Sequence, residues 1–206
     1  MVEEKILALD ISTKTGYASM VSSDQGIFLE SYGTLPAIHM PEGTYPASFV
    51  DWAYSVFKEI SELIDRFAPD CLVIEETVAG SKGVYSQKIL EWIHFLLAKF
   101  IKETNIKTVY FLTGQWRSIV GAKMTKEESK HNKEVKEYKE IHKTKIARDK
   151  NGKRIGKLTK KHINVRRANE VFGAFLKEPL RQKDQDHADA LMLGYAYHLR
   201  RVKENG

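Results

Sequence analysis

Apolar residues change their spacing several times along the chain, and each change marks an element. Lys5–Ile11 (KILALDI) is apolar almost throughout, which predicts a central strand covered on both faces. Gly16–Ser22 and Gly26–Thr34 predict two more strands, and the polar Ser23-Asp24-Gln25 between them has hairpin length. Gly33–Pro46 is rich in glycine and proline and reads as loop. From Ser48 to Phe67 the apolar residues Phe49, Trp52, Ala53, Val56, Phe57, Ile60, Leu63, Ile64 and Phe67 recur at helical spacing, and Pro69 stops the helix. Cys71–Ile74 is a short apolar strand closing on Glu75-Glu76. A loop with Gly80 and Gly83 leads to a second amphipathic helix over Tyr85–Glu103, and Lys107–Leu112 returns as a strand.

Thr113–Val120 predicts a short helix ended by Gly121. Thr125 and Glu128 have capping-box spacing. They open a polar, solvent-exposed helix over Lys126–His142 with a thin Val135/Tyr138/Ile141 stripe. Asn151-Gly152 between basic flanks predicts a hairpin. Helices resume over Lys160–Phe175 and Asp186–Val202. This order predicts an α/β fold: a mixed five-stranded sheet, three antiparallel strands and then parallel ones, flanked by helices.

A chain of 206 residues with 42% hydrophobic content can form one domain with an appendage. No apolar run approaches the roughly 18 residues of a membrane span, and the N-terminus lacks the build of a signal peptide. A soluble, intracellular protein with no membrane partner is expected. The one cysteine, Cys71, excludes an intrachain disulfide and reads as a buried small hydrophobe.

Charge changes the picture. The net +6 is uneven: Lys123 to Arg167 holds 17 basic and 6 acidic residues, so this segment is +11 and the remainder −5. A single domain over residues 1–206 with a basic insert at about 123–160 follows. Nucleic acid is the expected polyanion, and a solvated lysine-rich helix is the alternative. Lysine outnumbers arginine there by 13 to 4, which favours backbone attraction over reading of base edges. The candidate DNA contacts are Lys123, Lys130, Lys133, Lys136, Lys153, Arg154, Lys157, Lys160 and Lys161.

Four carboxylates stand at element ends. Asp10 lies near the end of the first strand, Glu75 ends the fourth, and Asp186 and Asp189 are one turn apart at the start of the last helix. A charge at the end of a buried strand needs a compensating partner, and no Lys or Arg occupies a comparable strand end. Hard divalent cations such as Mg²⁺ or Mn²⁺ take oxygen ligands and leave positions for phosphate. Carboxylates plus a basic insert therefore point to a nuclease. Each position also has a plainer explanation: Asp10 as a turn-starting residue, Glu75 as a solvent-facing strand end, and Asp184 and Asp186 as favourable charges at a helix N-terminus.

ILALDISTKTGYA, LVIEET and DHADALMLGYAYH resemble, in order and spacing, the three acidic motifs of RuvC-type Holliday-junction resolvases of the ribonuclease H-like superfamily. The resemblance covers about 160 residues, everything outside the insert. It implies a ribonuclease H-like fold with Asp10, Glu75, Asp186 and Asp189 as catalytic and metal-binding residues and two Mg²⁺ (or Mn²⁺) ions per active site. It also implies a homodimer that nicks two symmetric strands of a four-way DNA junction, in the cytoplasm of a bacterial or virus-infected cell or in an organelle. This chain has Ile11-Ser12 where the family has Pro-Gly. At the family's aromatic wedge position it has Val78, with Tyr85 the nearest aromatic. Three further candidates remain: Glu76, expected to face away from Glu75; His187, with a helix-cap neighbour as its plainer reading; and Trp116 with Arg117, either a pair that stacks on or grips DNA or a buried Trp beside a surface Arg. The rivals are a YqgF-type or other ribonuclease H-like nuclease acting on RNA or hybrids, an actin/sugar-kinase fold, and a non-catalytic junction-binding module. The second helix, through Ile89, Trp92, Ile93 and Leu96, is the candidate dimer surface, and core packing explains those residues equally well.

Overall fold

A computed structural model describes residues 3–39, 41–76 and 84–205. The chain runs β1 (Glu4–Asp10), β2 (Gly16–Ser23), β3 (Gly26–Thr34), α1 (Ala47–Phe67), β4 (Cys71–Glu75), α2 (Val84–Thr104) and β5 (Lys107–Phe111). It continues through α3 (Thr113–Ile119), α4 (Lys126–Ile141), β6 (Ala147–Arg148), β7 (Arg154–Ile155), α5 (Lys160–Phe172), a 3₁₀ turn at Gln182–Asp184, and α6 (Gln185–Asn205).

The five long strands form one mixed sheet in the order β3-β2-β1-β4-β5. β1, β2 and β3 pair antiparallel, whereas β4 runs parallel to both β1 and β5. Side chains of a strand alternate between faces, and β1 divides accordingly. Ile6 and Ala8 enter a core completed by Trp116 of α3, Phe172 of α5 and Leu191 of α6. Leu7 and Leu9 enter the other, with Phe49 and Ile60 of α1 and Ile93 of α2. A strand covered on both faces must be apolar on both, which is why β1 shows no alternation. Cys71 is fully buried, and burial pushes its thiol up to about 11.

The parallel β1–β4 pairing places the site. Leu9 is opposite Ile74, so Asp10 and Glu75 follow at one edge of the sheet. Asp10 shares the parity of Ile6 and Ala8, and Glu75 that of Cys71 and Val73. Both therefore belong to the face that α6 covers. Gly16, paired with Asp10 at the start of β2, lets α6 approach: a Cβ there would lie 2.2 Å from the Asp186 carbonyl oxygen.

The insert forms a small unit of its own. Thr125 and Glu128 make the expected capping box on α4. Val135 is fully buried, but Ile141 is 75% exposed, so the expected apolar stripe of α4 is shorter than its sequence suggests. β6 and β7 pair around a turn in which the Asp149 carboxylate accepts from the N–H groups of Asn151 and Lys153, with Gly152 at φ 77°. The Asn132 amide clasps Leu158 through both its N–H and its carbonyl, and Arg166 of α5 pairs with Glu128. α5 ends at Phe172, short of the expected Phe175. Gly173 follows, the Phe172 carbonyl accepts from the N–H groups of Phe175 and Leu176, and Phe175 turns out to meet Phe28 edge-on.

Candidate active site at the carboxylate edge

All four candidate carboxylates lie at the same edge of the fold, where β1 and β4 end and α6 begins. Asp189 is more enclosed than Asp186, its side chain 12% exposed against 25%. Its Oδ1 accepts a hydrogen bond of 2.6 Å from Nδ2 of Asn164, a buried residue of α5. The Arg117 guanidinium lies 3.9 Å from its other oxygen. Burial above all raises the Asp189 carboxyl to about 6. The Asn164 bond and Arg117 oppose the shift, while the charges of Glu75 and Asp186 add to it. Those like charges act on Asp189 across the site.

Glu75 is held by two donors from α3. Its Oε1 accepts from the Thr113 hydroxyl and its Oε2 from the Trp116 indole N–H at 3.0 Å. Trp116 is fully buried. It therefore does not present a face for DNA to stack on, and of the two readings the sequence left open the buried Trp holds; a large ring beneath the sheet edge fills the core while its N–H orients a carboxylate. Arg117, only 19% exposed in its side chain, lies over the Trp116 ring and is turned toward Asp189. Asp186 lies 4.0 Å from the Lys14 ammonium in the β1–β2 turn. The compensating cations absent from the strand ends thus arrive from a turn and a helix.

The donor set suits a hard cation in kind, since its candidate ligands are all oxygen. Asn164 adds a second sign: its buried Oδ1 has no hydrogen-bond partner among the described residues, nor does the buried Nε of Arg117. As arranged, however, no group of three acidic, histidine or cysteine side chains among the described residues converges closely enough to hold an ion. Protein donors hold Glu75 and Asp189 in place, and the Lys14 ammonium stands near Asp186, which offsets part of their mutual repulsion.

The remaining candidates divide. Glu76 is exposed, its N–H bound to the Phe111 carbonyl. His187 packs edge-on against Tyr32 of β3, 5.7 Å between ring centroids. Burial lowers its imidazole below the usual range, with Asp184 and Asp186 pulling the other way. Tyr85 is exposed at the start of α2 and borders a cleft of about 250 Å³ with Ser12, Thr13 and Trp52. Val78 lies outside the described residues.

Among the basic candidates, Lys130, Lys133 and Lys136 each face a glutamate one turn on, at 3.9, 3.8 and 3.6 Å from Glu134, Glu137 and Glu140. Lys123, Lys153, Arg154, Lys157, Lys160 and Lys161 are exposed and in no ion pair among the described residues. Lys123 apart, the unpaired charge among these candidates therefore lies on the β6–β7 hairpin, just after it and at the start of α5. Asn164, Thr113 and Lys14 were not foreseen. A polar Asn between Ile163 and Val165 on a helix that must bury that face was the one available signal for Asn164.

No family model matches the chain, and no curated protein matches it. Solved structures do. RuvC of Thermus thermophilus in complex with a Holliday junction substrate matches over 94% of this chain and 94% of its own, with a TM-score of 0.56 and 10% identity. A second structure of Thermus thermophilus RuvC covers the same shares at a TM-score of 0.55 and 13% identity. The yeast mitochondrial Holliday junction resolvase Ydc2 matches over 97% of this chain and 80% of its own, at 0.50 and 14%. At such identities the likeness is one of fold: a mixed five-stranded sheet flanked by helices, the ribonuclease H-like architecture of RuvC.

Proposed function

We propose that this chain is a structure-specific DNA endonuclease of the RuvC type. Acting as a homodimer, it would resolve four-way or otherwise branched junctions by paired phosphodiester hydrolysis, as a crossover junction endodeoxyribonuclease does. The observation that carries the reading is the register at the sheet edge. Asp10 and Glu75 end parallel neighbours on the face that α6 covers, where Asp186 and Asp189 begin that helix. Nothing in the stability of the fold calls for four carboxylates there, whereas phosphodiester hydrolysis has a use for them.

Asp10, Glu75, Asp186 and Asp189 would hold Mg²⁺ or Mn²⁺, two ions per site, with the free carbonyl of Asn164 beside them. When bound, such ions neutralise charge on the phosphoryl oxygens and ready water for attack. The residues of the chain do the rest. Thr113 and Trp116 fix the Glu75 carboxylate, and Asn164 fixes that of Asp189, so both stand ready in one orientation. The hairpin and α5 lysines grip backbone phosphates beside the cut, and these contacts carry the salt dependence.

The second copy of the chain fits the apolar face shared by α1 and α2. There Val50, Tyr54 and Phe95 are exposed around a cleft of about 470 Å³ that Trp92 and Leu96 also border. Of the residues weighed for this surface, Ile89 and Ile93 are buried in the core, as the core-packing reading has it. A panel of synthetic four-way junction, flap, duplex and RNA–DNA hybrid substrates tests the reading. Mg²⁺- or Mn²⁺-dependent nicking should be fastest on the junction, and Asp10→Asn should abolish it while junction binding survives. Preference for the hybrid would favour a ribonuclease instead, and binding without cleavage an architectural module.

A further inference from the structure

The sequence concentrates positive charge in the insert, yet three cations gather elsewhere beside the carboxylate edge. Lys177, Arg181 and Lys183, from the segment between α5 and α6, rim a cleft of about 340 Å³ whose wall includes Tyr32 and His187. Tyr32 lies on β3, the edge strand opposite β5, after which the insert leaves the sheet. His187 follows Asp186 at the start of α6, and the charges of Asp186 and Lys14 act on its ring, so the cleft lies beside the acidic site. All three cations are exposed, and none is in an ion pair among the described residues. Two acids share the cleft. Asp184 already accepts a hydrogen bond of 2.9 Å from the Arg181 backbone N–H, and Glu178 is exposed at the rim.

We propose that this cleft is a second DNA-contact site, which takes the backbone phosphates of the strand that crosses the carboxylate edge. The inference rests on the nuclease reading above and adds a contact that the insert does not supply. Cations rimming a cleft next to the acidic centre offset the repulsion that its carboxylates exert on an approaching phosphate. The edge-on Tyr32–His187 pair gives the cleft a firm aromatic wall against which a sugar or base can rest. An anchor on each side of the scissile phosphate fixes its position better than one on a single side.

The experiment is a fluorescence-anisotropy titration of a four-way junction over a range of salt, with three proteins besides the wild type. The first carries Lys177→Gln, Arg181→Gln and Lys183→Gln. The second carries Lys153→Gln, Arg154→Gln and Lys157→Gln in the hairpin. The third carries Lys5→Gln, Lys58→Gln and Lys203→Gln, exposed positions that remove the same charge away from the cleft. The cleft triple should weaken binding about tenfold or more at roughly 0.1 M salt and lower the salt slope by about 2 to 3. It should also remove hydroxyl-radical protection next to the cleavage position, while the control triple leaves that protection in place. Equal effects of the cleft and control triples, or an unchanged footprint in the cleft triple, overturn the site while leaving the nuclease reading intact. Failure of the wild type to bind the junction overturns both.

Discussion

Gly16 and Asp186, 170 positions apart in sequence, meet backbone to backbone: a Cβ on Gly16 would fall 2.2 Å from the Asp186 carbonyl oxygen. The contact sets how near the start of α6, and with it Asp186 and Asp189, comes to Asp10. Gly16→Ala should force the helix outward. We expect a stability loss of about 1–3 kcal/mol from overpacking. Junction cleavage should fall by about a hundredfold, because a displacement near 1 Å is costly to positioned groups. Gly156→Ala, into open space, should change neither. Urea unfolding and single-turnover cleavage check both statements.

Asn164 holds a carboxylate that burial already disfavours. Removing its donor in Asn164→Ala leaves Asp189 with less hydrogen bonding in a buried setting, and stability should fall by about 1–3 kcal/mol. If Asn164 also serves the ions, the rise in melting temperature that Mn²⁺ gives the wild type should shrink in the variant. An equal Mn²⁺ response in both proteins would confine Asn164 to a structural role.

The two halves of the insert should differ in DNA binding. Lysines of α4 face their own glutamates, pairs that contribute only about 0.3–0.5 kcal/mol each but leave the helix face nearly neutral. Replacing Lys130, Lys133 and Lys136 by Gln should therefore weaken junction binding less than replacing Lys153, Arg154 and Lys157. A gel-shift series at several salt concentrations separates the two, with the steeper slope retained by the α4 variant.

Acid should loosen the far end of the fold through His198. This residue is buried on α6 with its ring nitrogen 2.9 Å from the Ser22 hydroxyl. Burial, and then the charge of Arg201, lower its imidazole below the usual range. Well above a pH of about 6.5 the group is neutral in folded and unfolded chains alike. Below that the unfolded chain binds a proton that the folded one resists, so stability falls with pH. The urea midpoint should drop between pH 7.5 and 5.5 by more in the wild type than in His198→Gln.

Much of this was legible in the chain itself. Strand and helix periodicities depend on neighbours within a turn or two, so β1 through α6 follow from the sequence with ends displaced by a few residues. The α4 ion pairs are equally local, since Lys130 and Glu134 stand one turn apart whatever the tertiary fold, and they temper what a count of lysines implies. The carboxylates at element ends were visible for the same reason: an acid closing an apolar run is conspicuous wherever the run later packs.

Only the tertiary structure decided what surrounds those carboxylates. Asn164 reaches Asp189 across 25 positions and Trp116 reaches Glu75 across 41; Lys14, Arg117 and Gly16 likewise meet their partners only after α3, α5 and α6 have closed on one face of the sheet. Such contacts depend on how two elements stack, and a pattern of apolar and polar positions specifies which face is buried without specifying what it will meet. The sequence by itself therefore determined the acidic edge and the basic insert. The packing of the layers determined that the edge arrives held by protein donors, that Trp116 serves it from within the core, and that a further group of cations stands beside it.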